Sequence, residues 1–233
     1  MSIFAELDVY QDAAPRMAAM NMALDEALLE RATRASIRFY QWDHLALSFG
    51  YFGKYIDVAE YAVHRDLVRR WTGGGIVFHG DDLTYSIFIP GNNPAFAESP
   101  TSIYEKIHQA IRDALAANGT RVELAAMGWD AALRYPRTAQ RAVPTNICFA
   151  NPVPADVMVN GRKVAGAAQR RTRRGLLQQG SIQEVELAQE FMPRFAHELS
   201  TNWTAKELNK PTIDRATDIA NQRYVMADWL RRR

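Results

Sequence analysis

The stretch ADVMVNGRKVAGAAQRR, residues 155–171, decides the fold class of this chain. Two runs of β-forming residues flank Asn160 and Gly161, a pair favoured at two-residue hairpin turns because both central positions of such a turn need a positive φ. The stretch therefore predicts an antiparallel hairpin. The segment GLLQQGSIQ, residues 175–183, follows it and predicts a further strand.

Further strands and helices alternate along the chain. Short segments rich in β-branched and aromatic residues occur in two pairs, each separated by a few polar residues, which predicts strands joined by turns. Apolar residues at helical spacing predict helices before, between and after these strands. The predicted strands are 36–42 with 46–52 and 75–79 with 83–90, and the predicted helices are 15–33, 57–66, 99–119 and a short helical tail from about residue 187.

The order of these elements predicts the fold class. Hairpin strands with helices grouped between and after them are typical of an α+β fold, here with a mixed or antiparallel central sheet flanked by helices, and not of a doubly wound parallel sheet. With 233 residues, of which 48% are hydrophobic, the chain suits one large domain with a sizeable core. We therefore expect residues 1–233 to form a single domain.

The composition excludes several classes of protein. No apolar run approaches the ~18 residues that a membrane span needs, and the N-terminus carries acidic residues where a signal peptide carries basic ones. The single cysteine, Cys148, excludes a disulfide within the chain and fits a reducing compartment. The net charge of +2 does not by itself indicate nucleic acid. We expect a soluble cytoplasmic protein without membrane contact.

Three consecutive glycines, Gly73, Gly74 and Gly75, stand in the segment RRWTGGGIVFH. They are followed neither by the lysine of a nucleotide-binding P-loop nor by the helix of a dinucleotide-binding turn. Two interpretations stay open. The glycines form a tight bend between apolar segments, or they form a loop whose bare amides approach an acyl or phosphate group beside Arg69 and Arg70.

A second candidate site is the basic region that follows the hairpin turn. No acidic residue occurs between Asp156 and Glu184, so positive charge is concentrated there. The region can be a solvated surface, or it can dock an acidic partner by electrostatic steering. Aromatic residues are not interleaved with the basic ones, which argues against nucleic acid as the partner. The docking candidates are Arg170, Arg171, Arg173 and Arg174.

Lys163 and Cys148 are the candidate reactive side chains. Successive side chains of a strand point to opposite faces, so either Arg162 or Lys163 can aim into a cleft, where a lysine stabilises a developing anion or transfers a proton. The alternative is an ordinary exposed lysine. Cys148, in a proline-rich segment ahead of the hairpin, can be a small buried hydrophobe or a nucleophile whose thiolate a nearby cation favours.

These motifs occur together in a known family. NMALDEALL, IRFYQW, SFGYF, RRWTGGGIVFH, LTYS and NGRKVAGAAQRR stand in the order seen in the lipoate–protein ligase and octanoyltransferase family, which the chain resembles over about residues 5–185. The resemblance implies the biotin/lipoyl protein ligase fold. It also implies a cytoplasmic enzyme that attaches an octanoyl or lipoyl group to a lysine of lipoyl carrier domains, which are the glycine cleavage H protein and the E2 subunits of 2-oxoacid dehydrogenases.

The resemblance also implies roles for individual residues. Lys163 is similar to the family's lysine that touches the acyl carbonyl or the acyl-phosphate. The glycine loop with its flanking residues resembles the acyl-site loop and strand, and the residues after Lys163 would line the same cleft. By this resemblance the acyl-binding residues are Arg70, Thr72, Gly73, Gly74, Gly75, His79, Gly166, Ala167 and Gln169.

Two chemistries occur in this family, and the resemblance favours one of them. Octanoyltransferases of the cysteine type carry a Cys-Phe pair just before the hairpin, as this chain does at Cys148 and Phe149. Such enzymes take the octanoyl group from octanoyl–acyl carrier protein, whose activated thioester requires no ATP, other cofactor or metal. We therefore expect an octanoyl-Cys148 intermediate, with Lys163 as a second catalytic residue.

The main alternative is a lipoate–protein ligase, which joins lipoate to AMP with ATP and magnesium. Gly75 favours this alternative, since the cysteine branch often has arginine at that position. Many ligases carry Asn-Asp in the loop ahead of the lysine strand, where this chain has Thr145 and Asn146 without an acidic residue. A biotin ligase fits the motifs less well. A non-catalytic member that binds acyl groups or a partner is the remaining alternative.

Overall fold

The computed structural model describes residues 2–117, 119–126 and 148–232, which form two β-sheets and the helices around them. The strands are β1 (Leu7–Gln11), β2 (Ser36–Tyr40), β3 (Ala46–Phe49), β4 (Asp66–Arg69), β5 (Val77–His79), β6 (Leu83–Pro90), β7 (Val122–Leu124), β8 (Val157–Val159), β9 (Arg162–Arg171), β10 (Gly175–Ile182) and β11 (Trp203–Lys206). The α-helices are α1 (Ala18–Arg31), α2 (Pro100–Ala116), α3 (Phe191–Leu199), α4 (Lys210–Ile219) and α5 (Ala227–Leu230).

The larger sheet has eight strands in the order β11-β1-β2-β6-β10-β9-β8-β7. In it β1 runs parallel to β11 and β2, and the other neighbouring strands are antiparallel. The smaller sheet has the order β4-β3-β5, with β4 parallel and β5 antiparallel to β3. The predicted class, a mixed sheet flanked by helices, is confirmed.

Two of the predicted strand pairings are wrong, although the strands themselves form. β2 and β3 belong to different sheets, and so do β5 and β6. Every residue of β2 and β3 is buried, and strands buried to this degree need more cover than an isolated hairpin provides. The chain therefore crosses from one sheet to the other at each of these turns, and both sheets contribute to the cleft described below.

The segment 57–66 and the C-terminal tail also differ from the prediction. Ala59–Val63 forms a short 3-10 helix instead of an α-helix, and β4 then begins at Asp66 because it pairs with β3. The tail is helical only in part, since β11 pairs with β1 at the edge of the larger sheet. Three of the four residues of β11 are exposed, so no apolar alternation marks it as a strand.

The larger sheet separates two apolar cores. On one face, Phe39 and Tyr85 of the sheet pack edge to face against Phe195 of α3, and α2 covers the neighbouring strands. On the opposite face, Tyr40 and Trp42 pack with α1 and α4. A buried ion pair fastens α1 to this face, because Arg38 of β2 lies 2.8 Å from Asp25 and 2.7 Å from Asp12. Burial raises the pKa of Asp25 even though Arg38 opposes the rise.

The predicted hairpin turn at Asn160 and Gly161 is confirmed. β8 and β9 pair antiparallel across it, and its two central residues have φ of 49° and 75°. Gly161 supplies the positive φ without a steric penalty, and no heavy atom lies within 4 Å of the position that a Cβ would take there. The turn sets the register that brings Met158 opposite Lys163.

Replacing Gly161 by alanine tests the turn through its backbone alone. We expect Gly161→Ala to lower the free energy of unfolding by about 1 kcal/mol, because an alanine with positive φ is strained while its methyl group meets no neighbour. Urea denaturation measures the change, and Asn160→Asp is the matched control because aspartate also tolerates this conformation. A Gly161→Ala variant as stable as the parent would contradict the assigned turn.

Candidate active site

Lys163 is the buried member of the pair that begins β9, while the neighbouring Arg162 is exposed. The Lys163 ammonium lies 2.8 Å from the Asp156 carboxylate, and both side chains are almost completely buried. The ammonium also donates a hydrogen bond of 3.0 Å to the carbonyl of Cys148 and lies 3.4 Å from its Sγ. Strand alternation thus places a paired cation directly beside the only thiol of the chain.

Asp156 is the residue of this site that sequence reasoning missed. It stands just before β8, and its two oxygens accept hydrogen bonds from the Tyr104 hydroxyl (2.5 Å) and the Val153 amide (2.6 Å) in addition to the Lys163 ion pair. An aspartate immediately ahead of a buried strand, and the last acid before a long basic stretch, is the signal that could have found it. Thr145 and Asn146, which were compared with the acidic loop of the ligases, lie outside the described residues.

Buried polar groups also hold the backbone next to Asp156. His108 is held between the carbonyl of Ala155, 2.8 Å from Nδ1, and the hydroxyl of Tyr85, 3.2 Å from Nε2. Because a carbonyl only accepts, Nδ1 carries the proton and Nε2 accepts from Tyr85. Burial lowers the pKa of His108 to about 4, and burial also raises the pKa of Tyr104, which the charge of Asp156 reinforces. His108 and Tyr104 therefore stay neutral beside the ion pair of Lys163 and Asp156.

Cys148 begins a short 3-10 helix (Cys148–Ala150) that lies against the end of the glycine loop. Its amide donates a hydrogen bond of 2.9 Å to the carbonyl of Ile76, next to Gly75, and its side chain is half-buried. Phe149, the second residue of the Cys-Phe pair, has its ring centre 5.3 Å from the Lys163 ammonium. The two predicted reactive residues, separated by fifteen positions, are thus brought together.

The glycine loop is held by the guanidinium of Arg70. Arg70 donates hydrogen bonds to the carbonyls of Gly73 (2.9 Å) and Gly75 (2.8 Å) and to the hydroxyl of Ser48 (2.7 Å). Gly74 has a φ of 83°, and a Cβ at Gly50 would lie 2.1 Å from its carbonyl oxygen. Burial lowers the pKa of Arg70 to about 10, while Cys148 and Tyr40 oppose that shift.

The other predicted residues of this region support the loop from its sides. The Thr72 hydroxyl donates 2.7 Å to Gln179, which donates in turn to the buried Asp25 carboxylate. Arg69, the first arginine of the motif, differs from them and points away from the loop. It binds the carbonyls of the C-terminal segment, including those of Trp229 and Leu230, both at 2.9 Å.

His79 lies at one side of the cleft, within a row of hydrogen bonds. Its Nε2 is 2.6 Å from the Ser48 hydroxyl and its Nδ1 is 2.8 Å from the Asp82 carboxylate, and its ring stacks on Trp42 with centres 4.0 Å apart. Burial lowers the pKa of His79, although the Asp82 carboxylate opposes the change. Ser48 and Asp82 were not among the predicted site residues, because nothing in their sequence neighbourhood shows that they meet His79.

A slot of about 400 Å³, including its open mouth, runs between the two sheets past these groups. Apolar, small and hydroxyl-bearing side chains form most of its walls, with Arg70, His79 and Gln179 among them, which suits an acyl chain whose polar end meets these groups. Cys148 lies on its wall together with five of the predicted acyl-binding residues. The lining includes Met22, Tyr40, Trp42, Ser48, Arg70, Gly74, Val77, His79, Thr84, Cys148, Gly166, Ala167, Ala168, Gln179, Gly180 and Ser181.

The remaining predicted acyl-binding residues do not line the slot but are hydrogen-bonded next to it. Thr72, Gly73 and Gly75 are held in the loop network, and Gln169 donates a hydrogen bond of 2.7 Å to Gln178. Gly166 has a steric reason to be glycine, since a Cβ there would lie 2.4 Å from the Lys163 side chain. Gly166 itself lines the slot, whereas Thr72, Gly73, Gly75 and Gln169 hold its walls without lining it.

Three of the four arginines proposed for docking already have contacts. Arg170 is half-buried between the rings of Tyr51 and Trp71, with 4.9 and 4.4 Å to the ring centres. Arg171 donates to the carbonyls of Phe96 and Glu98. Arg174 forms an exposed ion pair with Glu30, and within the described part of the chain Arg173 has no such partner.

The described residues give two further findings about the chain. Within residues 2–117, 119–126 and 148–232, no helix is long and apolar enough to cross a membrane. In the same ranges, no three His, Cys, Asp or Glu side chains are grouped as metal ligands would be.

The comparison with known families decides the family of the chain. Residues 17–223 match the model of the lipoyl protein ligase A/B catalytic domain. The chain belongs to this family. Similar proteins include two named octanoyltransferase LipM, with 40% identity over 176 residues for that of Oceanobacillus iheyensis and 35% over 185 residues for that of Staphylococcus aureus. The alignments cover 72% and 73% of this chain but 60% and 64% of the relatives, so the chain spans less than two thirds of their length.

Solved structures share the lipoyl protein ligase fold. A crystal structure of lipoate-protein ligase A bound with ATP has a TM-score of 0.71 and 18% identity, covering 99% of this chain and 98% of that one. A bi-partite lipoate protein ligase from Thermoplasma acidophilum, reported with its E2 lipoyl domain, has a TM-score of 0.69 and 17% identity, covering 97% and 95%. The fold implied by the sequence motifs is therefore confirmed.

Replacing Lys163 tests its ion pair. We expect Lys163→Met to lower the free energy of unfolding by roughly 3–5 kcal/mol, because the buried Asp156 carboxylate then has no counter-ion. The double variant Lys163→Met/Asp156→Asn should recover most of this loss. Urea denaturation measures both, with Arg162→Met as the exposed control, for which we expect a change within about 0.5 kcal/mol. A Lys163→Met variant as stable as that control would contradict the pair.

The pH dependence of stability tests the neutral His108. Its pKa falls from 6.5 in the unfolded chain to about 4 in the fold, so between these values the unfolded state binds more protons. Stability is therefore lost as the pH falls from about 7 to 4, by roughly 3 kcal/mol from this group. Urea denaturation at a series of pH values measures the free energy of unfolding, and in His108→Gln this part of the loss should be absent. His64→Gln is the control for removing an exposed imidazole. An unchanged pH dependence in His108→Gln would contradict the assignment.

Proposed function

We propose that this protein is an octanoyltransferase that moves an octanoyl or lipoyl group to a specific lysine of lipoyl carrier domains. The donor is octanoyl–acyl carrier protein, and the group passes through a thioester on Cys148. The observation that carries the proposal is the position of the Cys148 thiol, 3.4 Å from the Lys163 ammonium and on the wall of the acyl slot. A nucleophile, a cation and an apolar cleft thereby meet at one point.

The first half-reaction forms the acyl-enzyme. The Cys148 thiolate attacks the carbonyl carbon of the donor thioester. The new bond joins Sγ to this carbon, and the bond from the carbon to the carrier's sulfur breaks. The carrier leaves as a thiol after taking up a proton. Lys163 and nearby backbone amides stabilise the tetrahedral oxyanion, where one well-placed donor is worth roughly 3 kcal/mol.

The second half-reaction transfers the group to the acceptor. The neutral amine of the carrier-domain lysine attacks the thioester carbonyl, an amide bond forms, and the carbon–Sγ bond breaks. The amine gives up a proton, and Cys148 returns to its starting state. Because the donor thioester is already activated, this route uses no ATP, cofactor or metal.

The relatives support this proposal. Two similar proteins carry the name octanoyltransferase LipM, and a structure with the same fold was described together with an E2 lipoyl domain. Since this chain spans less than two thirds of the first relatives' length, its activity and partners are proposed from its own site. Acceptors on this view are the glycine cleavage H protein and the E2 subunits of 2-oxoacid dehydrogenases, in the cytoplasm.

The basic region that follows the hairpin turn is the proposed contact surface for the acidic carrier protein. Of its arginines, Arg173 and Arg174 are the most available, because Arg170 is half-buried and Arg171 binds backbone carbonyls. Arg174 can exchange its exposed ion pair with Glu30 for a partner's carboxylate at little cost.

An ATP-dependent lipoate–protein ligase is the second candidate, favoured by the third glycine of the loop. Such an enzyme needs ATP and magnesium, and carboxylate oxygens are the ligands that Mg²⁺ prefers. Among the described residues, Asp156 is the carboxylate bonded to the reactive pair, and it already binds Lys163, Tyr104 and the Val153 amide. This argues for the transferase. A member that only binds acyl groups or a partner would show no turnover with either donor.

Intact-mass measurement tests the transferase. The protein is mixed with octanoyl–acyl carrier protein without ATP, and we expect a mass increase of one octanoyl group because Cys148 attacks the thioester. The adduct should be absent in Cys148→Ala and should disappear when a lipoyl domain is added, with the label then on that domain. An acceptor domain whose target lysine is replaced by arginine is the control.

Two outcomes would contradict the thioester route. One is the absence of an adduct together with lipoyl transfer that depends on ATP, which would favour the ligase. The other is octanoyl transfer that continues unchanged in Cys148→Ala.

A further inference from the structure

Arg70 and Lys163 differ in how their charges are balanced. Lys163 has the Asp156 carboxylate at 2.8 Å. The buried guanidinium of Arg70 has only neutral acceptors, which are the Ser48 hydroxyl and the carbonyls of Gly73 and Gly75. No carboxylate among residues 2–117, 119–126 and 148–232 is bonded to it. A buried cation without a counter-ion is costly, so its position needs an anion that the reaction supplies.

Cys148 is a residue of the slot that can supply such an anion. Both side chains line the same slot. The negative charge of a Cys148 thiolate counteracts the effect of burial on the pKa of Arg70, so the two groups are within electrostatic reach of each other. The guanidinium is therefore available for the charge on Sγ, whereas the charge of Lys163 is already shared with Asp156.

Ser48 fixes the direction of this guanidinium. Arginine only donates hydrogen bonds, so Ser48 Oγ accepts from Arg70 at 2.7 Å, and its own proton goes to Nε2 of His79 at 2.6 Å. His79 then donates through Nδ1 to Asp82 at 2.8 Å. Because Arg70 can only donate, the donor and the acceptor of each hydrogen bond from Arg70 through Ser48 and His79 to Asp82 are determined.

The Asp82 carboxylate anchors the row. It accepts from the hydroxyls of Thr84 (2.9 Å) and Ser181 (2.6 Å) and from the amide of Gly80 (3.1 Å) as well as from His79. Although burial opposes the charge, the bonds from His79 and these donors hold the pKa of Asp82 below its usual value. A fixed anion therefore sets the tautomer of His79, and through it the orientation of the Ser48 hydroxyl.

We propose that Ser48 is a positioning residue of the acyl site, which, backed by His79 and Asp82, directs the Arg70 guanidinium towards Cys148 so that Arg70 stabilises the negative charge formed there. The inference rests on the proposed Cys148 chemistry. The row has the hydrogen bonds of a Ser-His-Asp triad, but Arg70 occupies the acceptor side of the hydroxyl. Ser48 therefore orients a cation, and Cys148 is the nucleophile.

Alkylation of Cys148 tests this assignment without any acyl donor. The chain has one cysteine, so the rate of reaction with iodoacetamide reports the Cys148 thiolate alone. At pH 7 we expect Ser48→Ala to slow alkylation about tenfold, because Arg70 loses the acceptor that directs it. Ser48→Thr keeps the hydroxyl and should restore most of the rate.

A double-mutant cycle distinguishes an effect of Ser48 that passes through Arg70 from a general loss of structure. We expect Arg70→Met to slow alkylation at least as much as Ser48→Ala, and we expect Ser48→Ala to add nothing in the Arg70→Met background. Additive effects, or a Ser48→Ala rate equal to that of the parent, would overturn the proposal. Ser200→Ala is the control, since it removes an equally buried, hydrogen-bonded hydroxyl far from the slot and should leave the rate unchanged.

Two further measurements keep the outcome decisive. Where Ser48→Ala does not fold, His79→Phe keeps the stacking on Trp42 but removes the acceptor of the Ser48 proton, and it should slow alkylation similarly. If the parent itself reacts no faster than a free thiol, the Cys148 chemistry fails and this inference fails with it. If the parent reacts rapidly and the Ser48 and His79 variants match it, the positioning role of Ser48 is wrong while the Cys148 chemistry stands.

Discussion

Lys163 and Asp156 bury opposite charges 2.8 Å apart, and three parts of the chain are fixed by that contact. The lysine belongs to β9, the carboxylate precedes β8, and the Tyr104 hydroxyl that also binds the carboxylate comes from α2. Because leaving either charge alone costs several kcal/mol, none of these elements can shift independently. The same ammonium binds the carbonyl of Cys148, so the position of Cys148 depends on the pair as well.

The two cations of the site have different tasks for this reason. Lys163 is neutralised by Asp156 and holds the backbone of Cys148, and in the proposed mechanism it also offers N–H donors to an oxyanion. Arg70 has no such counter-ion among the described residues and holds the glycine loop through two carbonyls. Because the glycines of that loop carry no side chains, Arg70 can reach the wall of the slot past them. Gly74 shows this directly, since it lines the slot and adopts a positive φ.

Sequence patterns predicted the strands better than they predicted their partners. β-forming runs identify β2, β3, β5 and β6 locally, but whether a strand stays with its sequence neighbour depends on which faces must be covered. That is a property of the whole fold. The hairpin at Asn160 and Gly161 was predictable because its turn chemistry lies within four residues. β11 was missed because its exposed residues pair only with distant β1.

The candidate site shows the same division. Lys163 and Cys148 were singled out because motifs mark them, and strand alternation predicted that Lys163 and Arg162 point to opposite faces but not that Lys163 is the buried one. Asp156 had a sequence signal that was overlooked, whereas Ser48 meets His79 through a contact that sequence alone does not reveal, since the two residues are thirty-one positions apart. Arg69 shows the converse, because its place in the motif suggested the loop while its side chain binds the C-terminal segment.

The most direct test of the account is a crystal structure of the protein trapped after reaction with octanoyl–acyl carrier protein. We expect electron density joining Sγ of Cys148 to an octanoyl group, the chain inside the slot beside Gly74 and Ala167, and the carbonyl oxygen within hydrogen-bond distance of the Lys163 ammonium. An acyl chain outside the slot, or a carbonyl directed away from Lys163, would contradict the account.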